Sequence, residues 1–311
     1  MTVALAAIVA LPWLSVKYVP VAAALTLCLL WRLVTSPSPA SYSGASLATA
    51  RPKFRWSSAI VALVLAAAGV AYLGLHQVWY GGWTVYAAGD HFVGGELRVV
   101  GAAPDYLGRS QRLVGLLVDR DFGLAAWGPV ILAAVGALAA LARRRPPGWS
   151  VVALPLAAGW LNATFVAVTM HGFWWPGRQV VVAMPAIVLV TAWWTSTLPR
   201  RVVVIIGVLG VAGMALWATM LAQVRFGDWT LISDVDRWAN PAVGAWRRTL
   251  PDLRDDSVPT WVLLCAWLVV LARVATWAWR SAGNRVVRSG AAPVLSPLRR
   301  GVEQSGSSSG S

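Results

Sequence analysis

Residues 201–223 read RVVVIIGVLGVAGMALWATMLAQ, with no charged side chain after the opening arginine. A bilayer core about 30 Å thick is crossed by roughly 20 apolar residues of helix, so this stretch predicts a transmembrane span. Six others resemble it, at residues 18–34, 56–78, 122–142, 149–170, 178–198 and 258–279. A further apolar run, residues 1–14, is shorter. At 1.5 Å per residue it reaches about 21 Å, less than a full crossing. No Lys or Arg precedes Lys17, so this run lacks the basic start of a signal peptide. The expected fold is all-α: a polytopic transmembrane protein with about seven full spans, one partial N-terminal span and a large extracytoplasmic loop.

Composition supports the same class. The 311 residues are 58% hydrophobic and 12% charged, with a mean hydropathy of +0.64. A soluble domain carries about 25% charged residues, so a water-soluble globule is excluded, and so is disorder. Twenty tryptophans fit a protein with two membrane interfaces, where indole rings collect. Cys28 and Cys265 both lie in apolar runs, which excludes a disulfide scaffold and a cysteine metal site.

The charges divide unevenly when the connecting loops are assigned to alternate sides. Fifteen of the 26 basic residues, including Arg32, Arg143, Arg144, Arg145, Arg200, Arg201 and the tail arginines, then share one side with a single acid, Glu303. The remaining 11 basic residues face the other 11 acids. All of the net charge of +14 therefore lies on one side, which is expected to be cytoplasmic. That surplus is a topology signal and a contact for anionic lipid. Nothing in it has the groove-reading elements of a nucleic-acid binder, so no nucleic-acid partner is expected.

This assignment makes residues 1–282 a transmembrane domain with outer loops at about 76–121 and 224–257. Residues 283–311, ending SGSSSGS, read as a flexible cytoplasmic tail. The long outer loop includes GGELRVVG, a short strand or hairpin pattern. The spans carry no Asp, Glu or His in their middle, unlike the relays of pumps. An ion-coupled transporter is therefore disfavoured against a protein that works at the outer boundary.

Four clusters lie at that boundary. In VDRDFG, Asp119 and Asp121 flank Arg120, an arrangement suited to a base and a substrate clamp; the alternative is a first-turn acid at a helix N-terminus, with Asp121 best placed. In MHGFWWPGRQ, Arg178 opens a helix where a phosphate is welcome, and Trp174 and Trp175 offer stacking faces beside His171. The alternative is an interfacial aromatic belt. In PWLSVKYVP, Lys17 and Tyr18 sit at a proline-bracketed break, suited to an anion or to lipid headgroups. Asp90, His91 and Glu96 in AAGDHFVGGE are too few for a metal site, so no metal is expected. The Asn162-Ala163-Thr164 sequon falls inside a span and should not be glycosylated. DVDRWANPAVGAWRRTLPDLRDDS, with balanced charges around Trp238 and Trp246, reads as a surface-lying amphipathic segment.

Three phrases in order, LPWLSVKYVPVAAAL from Leu11, GLLVDRDFGLAAWGPV from Gly115 and GFWWPGRQVVVAMPAIVL from Gly172, carry a resemblance. They resemble the C-terminal part of bacterial, actinobacterial-type polytopic glycosyltransferases of the GT-C class. The resemblance implies a plasma-membrane enzyme that takes a sugar from a polyprenyl-phosphate donor at the extracytoplasmic face. The acceptor would be a glycan, a lipid or a protein, and no cofactor is implied. Lys17, Tyr18, His171, Trp174, Trp175 and Arg178 would then bind the donor, with Asp119 or Asp121 as carboxylate candidates. The family's acidic first outer loop has no counterpart here, since no acid precedes Asp90. The expectation is therefore a portion of a longer enzyme. The alternative is a non-enzymatic membrane protein that handles or flips a lipid-linked glycan, or an assembly scaffold.

Overall fold

The computed structural model describes residues 1–35, 56–83, 105–167, 170, 177–227 and 241–290. Among them helix is the only regular structure, and no strand occurs. The helices are α1 (Thr2–Leu14), α2 (Val19–Thr35), α3 (Trp56–Tyr80), α4 (Tyr106–Ser110), α5 (Arg112–Val118), α6 (Leu124–Trp127), α7 (Ala133–Arg144), α8 (Trp149–Leu161), α9 (Met184–Thr195), α10 (Arg200–Phe226), α11 (Pro241–Arg248) and α12 (Val258–Gly290). The GGELRVVG segment, Asp90, His91 and Glu96 lie outside the described residues.

Five helical stretches are long and apolar enough to cross a membrane: Val16–Thr35, Ser58–Tyr80, Trp149–Val166, Arg200–Phe226 and Val258–Gly283. The chain is thus an all-α, multi-pass membrane protein. The stretch at 122–142 is not one helix. It breaks at Gly128-Pro129 into the four-residue α6, a 3-10 turn over Pro129–Leu132, and the 12-residue α7. Proline has no N–H to donate and its ring clashes with the preceding turn, so an α-helix cannot run through it undisturbed. The stretch at 178–198 likewise opens with a turn and a 3-10 segment over Val181–Ala183. Pro185 then occupies the first turn of the 12-residue α9, where its missing N–H costs nothing. Each 12-residue helix is about 18 Å long. At the other end of the chain, α12 continues to Gly290, into the stretch read from sequence as tail.

The centre of the bundle is α7, which packs against both α12 and α9. Its buried face is made of Ala133, Ala134, Gly136, Ala137 and Ala140, with Leu141 as the one larger side chain. A Cβ on Gly136 would lie 2.5 Å from the Trp194 ring of α9. Small side chains let helix backbones approach where lipid offers no hydrophobic drive to association. α2 docks on α8, with the buried Cys28 thiol donating to the Ser150 carbonyl at 3.6 Å. By contrast, α10 buries only Gly213 and Met220 and exposes Val208, Val211 and Met214. Such an apolar exterior suits a lipid solvent.

One residue departs from the expected apolar interior. α3 runs past residue 78 and carries His76 inside it, 4% exposed. Its Nδ1 donates to the Tyr72 carbonyl at 2.8 Å, and its ring packs against Trp13, Tyr72 and Tyr80. The hydrogen bond to its own helix and the aromatic collar are what make a histidine tolerable there.

Candidate functional site

The Asp119-Arg120-Asp121 turn follows the end of α5. The Asp119 amide still donates to the Gly115 carbonyl at 2.8 Å, after which the backbone turns extended. The Asp119 carboxylate is fully buried and accepts from three backbone amides: Asp121 at 3.0 Å and Phe122 at 2.7 Å on one oxygen, Leu253 at 3.1 Å on the other. Gly123 closes the turn by donating to the Asp119 carbonyl at 3.0 Å, and a Cβ on it would stand 2.4 Å from the Asp119 nitrogen. Only glycine fits that approach.

Asp121 points the other way. One carboxylate oxygen is paired with Arg247, and the other lies 3.5 Å from Arg254. Burial pushes the Asp121 carboxyl above the ordinary range; Arg247 opposes that, the Asp119 charge adds to it, and Arg254 opposes it. The two guanidiniums also stack on aromatic rings, Arg247 on Trp127 at 5.3 Å and Arg254 on Phe122 at 5.1 Å. Arg120 reaches outward, with its amide donating to Pro251 at 2.8 Å and its side chain lying 3.5 Å from Asp252. Three indoles tighten the latch: Trp127 donates to the Asp121 carbonyl at 2.8 Å, Trp246 to Ala125 at 3.0 Å, and Trp267 to Thr249 at 2.8 Å.

Two sequence readings change here. Neither aspartate caps the helix that follows, whose N-cap is Gly123 with no side-chain bond; the Asp119 carboxylate instead holds the amides two and three positions on within the turn. The segment expected to lie on the surface is, over residues 241–257, folded against the turn. Val243 and Leu250 are buried with Arg247, because each side supplies the partners that the other's charges need. Arg247, Arg254, Asp252 and Trp127 were not singled out from sequence. The signal was the run of charges itself, from which Arg247 and Arg254 complement Asp121 and Asp252 complements Arg120.

Lys17 and Arg178 are brought together. The Lys17 Nζ donates to the Arg178 carbonyl at 3.5 Å. Tyr18, half-buried, ends the 3-10 turn over Val16–Tyr18 beside it. The exposed Arg178 borders a cavity of about 270 Å³ whose other walls include Leu124, Trp127, Gly128, Met184 and Trp217. Trp127 belongs to this wall and to the Asp121 latch at once, so the two clusters are continuous. His171, Trp174 and Trp175 lie outside the described residues.

Two more arginines brace this end. Arg109 donates to the Phe165 carbonyl at 2.6 Å and Arg112 to the Ala167 carbonyl at 2.7 Å, at the end of the π-helical turn Asn162–Val166. Cations satisfying the last carbonyls of a helix also meet the negative end of its dipole. Thr164 of the sequon is buried in that turn and donates to Trp160 at 2.9 Å. Among the described residues no group of three or more His, Cys, Asp or Glu could hold a metal ion. The chain matches no family model, no curated protein and no solved structure.

Proposed function

We propose that the chain is a bacterial plasma-membrane glycosyltransferase of the GT-C type, or a portion of one, using a polyprenyl-phosphate-linked sugar at the extracytoplasmic face. The observation that carries this reading is the meeting of Lys17 and Arg178, 161 positions apart, at the rim of a cavity walled by Trp127 and Trp217. A lipid-linked sugar needs cations where its phosphate rests, aromatic faces for the sugar, and apolar walls below. In this reading residues 122–142 and 178–198 cross alongside the five long helices. The loops near 76–121 and 224–257 face outward and the C-terminus is cytoplasmic. The distribution of charge supports that orientation, because all six described carboxylates lie at residues 105–121 and 252–256, at the Lys17 end of the bundle.

The test is turnover of a polyprenyl-phosphate sugar by the reconstituted protein. Lys17→Ala and Arg178→Ala are expected each to reduce it on the order of tenfold, as for removal of a charge-assisted bond. Unchanged turnover removes the phosphate clamp. Labelling of the turn at Gly177 from the cytosolic side would overturn the orientation and the reading with it.

One observation favours a second reading, a non-enzymatic protein that handles the lipid-linked glycan. Asp119 spends its carboxylate on three amides and Asp121 lies between two arginines, so both act as scaffold rather than as a base. Binding of the donor without transfer, unaffected by Asp121→Asn, would decide for it.

A further inference from the structure

Tyr72, Trp79 and Tyr80 lie three or four residues from His76 in sequence, so the last turns of α3 carry all four on one face. That face meets Trp13 of α1, whose ring centroid lies 5.1 Å from Tyr72, 5.4 Å from His76 and 6.2 Å from Trp79. The planes of Trp13 and Trp79 stand 59° apart, and both indoles are exposed, at 43% and 59%. Tyr80, also exposed, lies 5.3 Å from the imidazole. The histidine is buried among these rings, yet only one of its nitrogens is used within the fold. The Tyr72 carbonyl can only accept, so Nδ1 holds the proton and Nε2 of the neutral ring carries a lone pair. Nε2 has no hydrogen-bond partner among the described residues and reaches the molecular surface. Gly81 ends the helix just beyond with φ 70°, its amide donating to the Gln77 carbonyl at 3.1 Å. Below the cluster, α3 exposes Val70 and Leu73. The rings therefore stand where hydrocarbon gives way to headgroups.

We infer that this cluster binds the primary ammonium headgroup of a phospholipid such as phosphatidylethanolamine. An ammonium N–H donates to His76 Nε2, and the charge rests on the Trp13, Trp79 and Tyr80 rings. Aromatic faces attract cations, more strongly where water is excluded. The lone-pair nitrogen selects among those cations: a primary ammonium can donate to it, and a quaternary one has no N–H to give. An anionic headgroup is unsuited, because every ring around the imidazole is uncharged and presents a negative face. An ordinary interfacial belt of indoles serves any headgroup and has no need of a buried imidazole with one free nitrogen. The apolar wall beneath, at Val70 and Leu73, gives acyl chains a place to lie and favours a lipid over a free amine. This inference is independent of the glycosyl-transfer reading, since it uses none of the residues assigned to the donor.

The test uses the full chain in neutral detergent, with short-chain phosphatidylethanolamine, phosphatidylcholine, phosphatidylglycerol and free ethanolamine as separate probes. Apparent affinity is read from the rise in Tm. Contact is read from the nitrogen NMR signal of Nε2 in protein labelled at its three histidines, the His76 signal being the one lost in His76→Phe. Phosphatidylethanolamine is expected to bind about tenfold more tightly than phosphatidylcholine, as for one charge-assisted hydrogen bond. It should also move the His76 Nε2 signal, which phosphatidylcholine should leave in place. His76→Phe keeps an aromatic ring in the cluster and should bring the two lipids level. Trp79→Ala, at an exposed position, should weaken both about fivefold. Equal affinity for the two lipids in the parent protein overturns the proposal, and so does an unmoved Nε2 signal. Phosphatidylglycerol binding as tightly as phosphatidylethanolamine would mean a hydroxyl ligand, and free ethanolamine binding as tightly would mean a soluble amine; either result overturns it. Parental affinity in Trp79→Ala overturns it as well. If His76→Phe does not fold, the ranking of lipids in the parent protein and the Trp79→Ala result decide by themselves.

Discussion

The two ends of this bundle are both rich in arginine and use it in opposite ways. At the Asp-Arg-Asp turn, Arg120, Arg247 and Arg254 each face a carboxylate, and Arg247 is buried. At the end of α7, Arg143, Arg144 and Arg145 stack on indoles. The first set is engaged inward and holds a loop to the bundle. The second stacks on indoles from three neighbouring helices, with the Arg145 Nε also donating to the Ala142 carbonyl at 3.3 Å. The lesson is that an arginine count says little about function until the partners of each guanidinium are located.

The sharpest break of this contrast is at Asp119. Asp119→Ala removes the acceptor of three amides beside a fully buried turn, and should cost about 3–5 kcal/mol, at roughly 1–3 kcal/mol for each stranded buried donor. Proteolytic protection of residues 241–257 and Tm in detergent would both fall. Retained stability would mean that the latch is not structural. Arg247→Gln comes next. Removing one partner of a buried pair costs about 3 kcal/mol, at the low end of the usual range because Arg254 remains. Arg143→Gln should cost under about 1 kcal/mol, as for an exposed cation–π contact. If the two arginine variants cost the same, the difference between the ends disappears.

Gly123→Ala should cost roughly 1–3 kcal/mol, because its Cβ would strike the Asp119 backbone. Gly207→Ala in α10, where nothing lies within 4 Å, is expected to be neutral or slightly stabilising. The pH dependence sharpens the comparison further. The Asp121 carboxyl is raised in the folded state by burial. Its titration therefore favours the fold fully below its unfolded value of about 3.8, and that contribution is lost as pH rises through the higher folded value. The difference in Tm between wild type and Asp121→Asn should change across that acid window and stay flat above it. A difference that is constant from acid to neutral pH would show that Asp121 is not strained by burial.

Membrane class and helical content were legible in the chain alone, because they depend on the length and apolarity of single segments. Residues 201–223 need no partner to be read as a span. The polar ends were also legible, since Lys17, Arg178 and the acidic turn all interrupt apolar runs. What could not be read is which of these residues meet. The pairing of Asp121 with Arg247, the amides that occupy Asp119 and the meeting of Lys17 with Arg178 join positions far apart in sequence. They depend on how helices pack, which local pattern does not encode. Two spans read as continuous were broken at Pro129 and before Pro185, where local backbone chemistry outweighs apolar length. The sequence by itself determined that the chain belongs in a bilayer. Only the tertiary structure decided which charges are spent on holding it together, because in a low-dielectric setting a charge's role is set by the nearest opposite charge and not by its neighbours in sequence.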